Sequence, residues 1–224
     1  GVIKESTLVQ PWHSPTSVGD ESLLLSEIAP TWIGKNRIKS SHLAKKNGAD
    51  CLIMDDGFQN PSIEKDFSII VISGEQEFGN KRVMPSGPLR ESIARGLSRT
   101  NLVIVISNVN NQDLEKLIPS QIPIFKANFV IKGQNTIYKG KNVTAFAGIA
   151  YPEKFFNSLE IQGAEIVNRI SFSDHYIYNE NDLLTLAESA NKTKSILVTT
   201  RKDFVRIPKS YRSLINTLDG EIVF

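Results

Sequence analysis

Val143-Thr144-Ala145-Phe146-Ala147-Gly148-Ile149-Ala150-Tyr151-Pro152 reads as a buried strand, a tight turn at Gly148, and a helix opening near Pro152. Proline suits a first helical position because its φ is fixed and the N–H it lacks would have no partner there. A strand, a glycine turn and a helix in so short a stretch form half of an α/β unit. Further aliphatic runs at 51–54, 67–73, 102–107 and 196–199 alternate with stretches of helical character. Short continuous apolar runs of this kind predict parallel strands buried on both faces.

Local signals place the intervening helices. Asn36 is positioned to cap a helix over 37–46, and Gly48 to end it in a left-handed conformation. Lying between Trp32 and Cys51, this helix predicts a βαβ unit. Asp20-Glu21 precede Leu23, Leu24, Leu25 and Ile28, which puts two carboxylates at a helix start and a stop at Pro30. Residues 74–88 are rich in Gly and Pro and lack periodicity, which predicts a functional loop; a helix over 89–97 follows it. The runs 124–131 and 136–138, separated by Lys132-Gly133-Gln134-Asn135, predict a hairpin that links two lobes. A last helix is expected over 182–190.

Composition bounds the function classes. The chain has 224 residues, 40% of them hydrophobic and 22% charged, with 26 basic against 24 acidic side chains. This is an ordinary globular balance for one large domain or two small ones, and it excludes disorder and collagen-like repeats. A net charge of +2 does not demand nucleic acid, while a pI of 8.6 suits an anionic ligand or an acidic membrane surface. The lone Cys51 offers neither an internal disulfide nor a zinc site, as expected in a reducing cytoplasm. No aliphatic run approaches the length of a spanning helix. The chain opens at Gly1 without an initiator Met or a signal pattern, and so reads as a fragment.

Several residues carry possible chemistry. Asp55-Asp56-Gly57 follow the run 51–54; a carboxylate pair beyond a strand end is placed to hold Mg²⁺ and its phosphate, or else forms an Asx turn with Gly57 at positive φ. Asp20 is either a helix cap or a site carboxylate. His175, in Ser173-Asp174-His175-Tyr176, has the proton affinity for acid–base work or is merely exposed. Arg90, Arg95 and Arg99 can present guanidinium groups to phosphate or line a solvated helix face. Thr200-Arg201-Lys202-Asp203 forms either a ligand-facing strand end or a charged turn. A P-loop needs Gly-x-x-x-x-Gly-Lys followed by Ser or Thr, and this sequence contains none; Gly34-Lys35 is followed by Asn36.

In order, Val18-Gly19-Asp20-Glu21, Asp55 through Pro61, Phe78-Gly79-Asn80, Pro85 through Glu91, Phe146-Ala147-Gly148-Ile149, Ser173-Asp174-His175 and Thr200 through Arg206 resemble the tetraacyldisaccharide 4'-kinases of lipid A biosynthesis in Gram-negative bacteria. The resemblance runs from about residue 16 to 206. It implies two Rossmann-like α/β/α lobes joined by a two-stranded β linker: an incomplete first lobe over 1–122, the linker over 123–140, and a second lobe over 141–224. It also implies transfer of the γ-phosphate of ATP, with Mg²⁺, to the 4'-hydroxyl of tetraacyldisaccharide 1-phosphate at the cytoplasmic face of the inner membrane.

Carried over by motif, Asp20 matches the catalytic carboxylate and His175 its partner, and Asp55 and Asp56 match the metal pair. Glu21, Arg37, Arg90 and Glu91 fall in blocks near nucleotide or sugar phosphate. Four positions depart from the family pattern: Ser22 stands where Pro is usual, Asn60 where His is common, Tyr176 where a second His is usual and Arg201 where an acid is usual. The family's P-loop and membrane-associating helix are expected upstream of the match, so the chain reads as the portion after the P-loop. Two other readings stay open: a non-catalytic fragment that binds acyl-sugar phosphate, and a Mg²⁺-dependent phosphate-ester hydrolase.

Overall fold

The computed structural model describes residues 2–107, 112–131 and 137–224. It divides into two compact units, Gly1–Leu52 with Ile131–Asp219, and Ile53–Val130 with Gly220–Phe224. The chain runs through β1 (Thr7–Leu8), α1 (Pro15–Val18), α2 (Asp20–Ser26), β2 (Trp32–Ile33) and α3 (Arg37–Lys46). Next come β3 (Ile69–Ser73), α4 (Ile93–Leu97), β4 (Leu102–Ile106), α5 (Gln112–Glu115) and β5 (Ile124–Ile131). It continues with β6 (Asn142–Ala147), α6 (Pro152–Ile161), β7 (Glu165–Ser171), α7 (Glu180–Lys192), β8 (Ile196–Thr200) and α8 (Arg201–Phe204). A 3₁₀ turn over Lys209–Leu214 leads to β9 (Ile215–Leu218) and β10 (Gly220–Val223).

The larger unit is built on a four-stranded sheet ordered β7-β6-β8-β9, in which every pairing is parallel. Its centre is β6, whose residues from Val143 to Ala147 are all fully buried. Successive side chains on a strand point to opposite faces. Accordingly Val143, Ala145 and Ala147 pack with Phe155, Phe156 and Leu159 of α6, while Phe146 packs with Leu183, Leu186 and Ala190 of α7. The result is a helix–sheet–helix sandwich, as the opening motif predicted. Asn179 closes the start of α7 with a full capping box, its side chain accepting from Asp182 while Asp182 accepts from the Asn179 amide.

In the same unit, α3 has the bounds read from sequence. The Asn36 side chain accepts from the Lys39 amide at 3.0 Å, and Gly48 takes φ +90°. The expected βαβ unit around it is not formed. Trp32–Ile33 pairs antiparallel with Thr7–Leu8, and residues 51–54 form no strand. Ile53 is 95% exposed and Leu52 is also exposed. An aliphatic run becomes a strand only where a neighbour satisfies its N–H and C=O groups, and no described strand pairs with this one.

The smaller unit holds a sheet ordered β10-β5-β4-β3, with β3, β4 and β5 parallel. Its core joins Ile72, Val103, Val105, Leu97, Leu114 and Phe78. As an edge strand, β3 has only one buried face, since Ile69 and Val71 are exposed; burial on both faces was expected. The helix expected over 89–97 begins only at Ile93, because the Ser92 side chain caps it by accepting from the Arg95 amide. The loop 74–88 is tied together by Asn80, whose amide donates to the Ser86 carbonyl at 2.8 Å and whose Oδ1 accepts from the Arg82 amide. Of the expected hairpin, the first arm is β5, seated between β10 and β4. Lys132-Gly133-Gln134-Asn135 and Thr136 lie outside the described residues, and Ile137-Tyr138 bend rather than extend.

Candidate functional site

Strand order reverses at β6, which lies between β7 and β8, so the loops leaving β6 and β8 run to opposite sides of the sheet. Such switch points, beyond the carboxyl ends of parallel strands, are where open α/β sheets take ligands. The loop after β6 supplies Gly148, the loop after β7 supplies His175, and β8 leads directly into α8 and Arg206.

Asp203, fully buried, organises this end of the sheet. Its Oδ1 accepts from the Gly148 amide at 2.8 Å and from the Tyr178 hydroxyl at 2.8 Å, and its Oδ2 accepts from Thr200 at 2.5 Å. Thr200 in turn caps α8 by accepting from the Asp203 amide. Burial, and after it the adjacent Asp203 charge, pushes the Tyr178 phenol far above its ordinary range. Thr200-Arg201-Lys202-Asp203 is therefore a structural anchor through its first and last members. Its middle pair is exposed to α2, with Lys202 donating to Glu21 at 2.8 Å and Arg201 to Glu27 at 2.6 Å. The unusual basic residue at 201 thus finds an acidic partner.

Asp20 is the first residue of α2 rather than its cap; Gly19 takes the cap position. The carboxylate is nearly buried and meets His175 across 155 positions of sequence, Nδ1 to Oδ2 at 3.0 Å. An ionised carboxylate only accepts, so this contact is a hydrogen bond in the tautomer that carries hydrogen on Nδ1; Nε2 of the same ring lies 4.0 Å from Asp174 Oδ2. His175 has φ +56°, a left-handed backbone that costs a residue with a Cβ about 1 kcal/mol. Its amide donates to the Gly148 carbonyl at 3.1 Å, which helps hold that conformation. Ser22, at the position where proline is usual, turns its hydroxyl back to the Val18 carbonyl at 2.7 Å. Arg37 is the first residue of α3.

The second acidic group lies in the smaller unit. Asp55 and Asp56 occupy an exposed turn, and it is Asp56 that takes positive φ, at +45°, rather than Gly57. Gly57 is required for close approach instead, since a Cβ there would lie 2.5 Å from that of Met54. Two motif blocks fold together at this turn. Arg90 faces Asp56 at 3.3 Å, and Gln59 donates to Glu91 at 3.2 Å. Glu91 also accepts from both terminal nitrogens of Arg99, whose guanidinium lies 4.4 Å from the centre of the Phe58 ring. The hydrogen bond from Arg99 is the main cause that holds the Glu91 carboxyl below its ordinary range. Arg95 lies 3.9 Å from Glu91 at its Nε.

Among the described residues no three His, Cys, Asp or Glu side chains cluster closely enough to hold a metal by themselves. Mg²⁺ characteristically uses one or two carboxylates plus substrate phosphate and water, and the Asp55–Asp56 pair fits that requirement. Arg206 was not singled out by the sequence reading. Its guanidinium lies 3.2 Å from Asp20 through Nε. The available signal was an arginine set between the buried residues Val205 and Ile207 in the last motif block.

Residues 1–222 match the family described as tetraacyldisaccharide-1-P 4'-kinase, LpxK. The tetraacyldisaccharide 4'-kinase of Rhodospirillum rubrum is 41% identical over 216 residues, covering 95% of this chain and 65% of the relative. That of Gluconobacter oxydans is 38% identical over 211 residues, covering 94% and 64%. The chain thus spans just under two-thirds of the length of these relatives. In fold it is similar to LpxK of Aquifex aeolicus, crystallised in complex with ATP, with a TM-score of 0.74 at 22% identity; the match covers 98% of this chain and 70% of that one.

Proposed function

The chain belongs to the tetraacyldisaccharide-1-P 4'-kinase family, and from that membership we propose that it serves a kinase moving the γ-phosphate of ATP to the 4'-hydroxyl of tetraacyldisaccharide 1-phosphate in lipid A biosynthesis. The observation that carries the reading within the molecule is the Asp20–His175 pair, assembled at the switch point of the sheet from two separate family motifs.

Phosphoryl transfer needs positioning, charge neutralisation and a group to take the hydroxyl proton. Asp20 with His175 supplies the last. Asp55 and Asp56 would hold Mg²⁺, whose charge offsets that of the phosphates. Arg90, which faces Asp56, is suited to a phosphate oxygen, since guanidinium binds such oxygens bidentately. Glu21 and Arg37 are assigned to the nucleotide or sugar-phosphate surroundings. Glu91 acts there through Arg99 and Gln59, which already occupy its oxygens.

The proposed organisation keeps to chain order: a lobe over 1–122, a two-stranded linker over 123–140, and a lobe over 141–224. Compact packing in the structure instead groups residues 1–52 with 131–219. No helix among the described residues is long and apolar enough to cross a membrane. The proposed location is peripheral, at the cytoplasmic face of the inner membrane, where the acylated substrate resides.

The test is transfer of labelled phosphate from ATP to tetraacyldisaccharide 1-phosphate by the protein carrying this chain, beside its D20A and D55A variants. Each variant is expected to lose about 100-fold or more in kcat, the usual weight of a positioned proton acceptor or metal-held charge. Undiminished transfer in either would sink that assignment. Lipid binding without transfer in the parent would mark a binding fragment, and phosphate release without nucleotide would mark a hydrolase.

A further inference from the structure

Arg206 is buried, with a side chain 3% exposed, and each of its nitrogens reaches a different part of the site. Nε donates to the Lys202 carbonyl at 3.1 Å and lies 3.2 Å from Asp20 Oδ2, the same oxygen that His175 Nδ1 contacts. Nη1 donates to the Gly148 carbonyl at 2.9 Å and to the Tyr176 carbonyl at 3.2 Å. Nη2 lies 3.5 Å from Asp203 Oδ1 and makes no hydrogen bond. The Gly148 carbonyl also accepts the amide of His175, and Tyr176 is the next residue along. One guanidinium therefore touches the carboxylate of Asp20 and the backbone on which His175 is mounted.

We propose that Arg206 is the positioning residue of the Asp20–His175 pair: it fixes Oδ2 of Asp20 as the acceptor for Nδ1 of His175 and so holds the ring in the Nδ1–H tautomer, with Nε2 free of hydrogen and 4.0 Å from Asp174 Oδ2. The proposal deepens the kinase reading and rests on it for its catalytic consequence, though not for its geometry. Arginine suits the task because it stays charged throughout the working pH range and its planar fork cannot rotate away from several acceptors at once. A lysine could place a charge near Asp20 but could not also hold both carbonyls in fixed directions. A purely structural ion pair would need Asp203 or Asp20; contact with both, with the Gly148 carbonyl that accepts the His175 amide and with the Tyr176 carbonyl just after His175, is what a part that sets the ring's orientation requires.

The experiment is imidazole ¹⁵N NMR on the 224-residue chain, with H175N used to assign His175 among the three histidines. The parent is expected to show His175 with hydrogen on Nδ1 and none on Nε2 when neutral. R206M is expected to show both tautomers, and R206K to fall between. In transfer assays R206M should lose about 100-fold in kcat, the cost of a catalytic group misplaced by an ångström, with KM for both substrates within about threefold. R206K should recover part of that loss.

An Nε2–H tautomer in the parent overturns the proposal whatever the variants do, so a variant that fails to fold does not protect it. A folded R206M with unchanged tautomer and kcat also overturns it. If the tautomers behave as stated and the protein carrying this chain transfers no phosphate, the kinase reading fails while the positioning role stands.

Discussion

Tyr178 and Gly148 share one oxygen: the phenol hydroxyl and the glycine amide both donate to Asp203 Oδ1, each at 2.8 Å. A carboxylate buried at the carboxyl end of β8 is thereby satisfied by a neutral donor from the loop before α7 and another from the turn after β6. These two loops also carry the mounting of His175, so the stability of the Asp203 cluster and the geometry of the candidate site are one property.

Replacing Tyr178 with Phe removes one buried donor and is expected to cost about 1–3 kcal/mol. The pH dependence has a definite sign. Burial raises the Tyr178 phenol above its unfolded value, so the unfolded chain loses that proton first as pH climbs. Its contribution is fully present below about pH 10 and is lost as pH rises above it. Urea denaturation from neutral to strongly alkaline pH should show the parent losing stability faster than Y178F at the alkaline end. Parallel curves would contradict the buried-phenol assignment.

Glu91 works in the opposite direction. Arg99 holds its carboxyl below the unfolded value, so the stabilisation is present above about pH 4.3 and disappears as pH falls through the lowered value. Arg99 is 40% exposed, so screening limits the effect to about 1 kcal/mol or less. E91Q should flatten the acid limb of the stability profile of the smaller unit, followed by hydrogen exchange at β3 and β4 amides. An unchanged acid limb would remove the pair from the ledger.

Adding a methyl at Gly148 would place a Cβ 2.9 Å from that of Tyr176, 3.1 Å from the Ser173 carbonyl and 3.2 Å from Asp203 Oδ1. Two of these neighbours are backbone or fully buried and cannot simply turn aside. G148A is therefore expected to destabilise the chain by about 1–3 kcal/mol. It should also disturb the His175 ring signals, because the Gly148 carbonyl accepts the His175 amide. A variant with parent-like melting and parent-like ring signals would show that the turn has room to spare.

What sequence made legible was local. Asn36 and Gly48 bounded α3, Pro152 opened α6, and the short continuous apolar run from Val143 to Ala147 announced a strand covered on both faces; each signal acts within a few residues. Residues 51–54 carried the same aliphatic signal as β6 yet form no strand, because composition does not state whether a neighbour is present to pair with. Trp32–Ile33, where the sequence predicts the first strand of a βαβ unit, is instead half of a small antiparallel ladder with Thr7–Leu8, a partner with almost no signal of its own. The Asp20–His175 pair was reached through resemblance alone, since no spacing rule connects residues 155 apart. Arg206 was missed for the same reason: the acids it serves are Asp203, one turn away, and Asp20, at the other end of the chain.

Both four-stranded sheets take an edge strand from one short stretch of chain. The edge strand of the larger sheet is Ile215–Leu218 and the edge strand of the smaller one is Gly220–Val223, consecutive in the chain and assigned to different sheets. A nascent polypeptide that has emerged only as far as residue 214 presents two open parallel edges, β8 in one sheet and β5 in the other, each a template for unwanted pairing. Neither unit can reach its final architecture during translation of its own central segment, and loss of these two strands alone would injure both units at once.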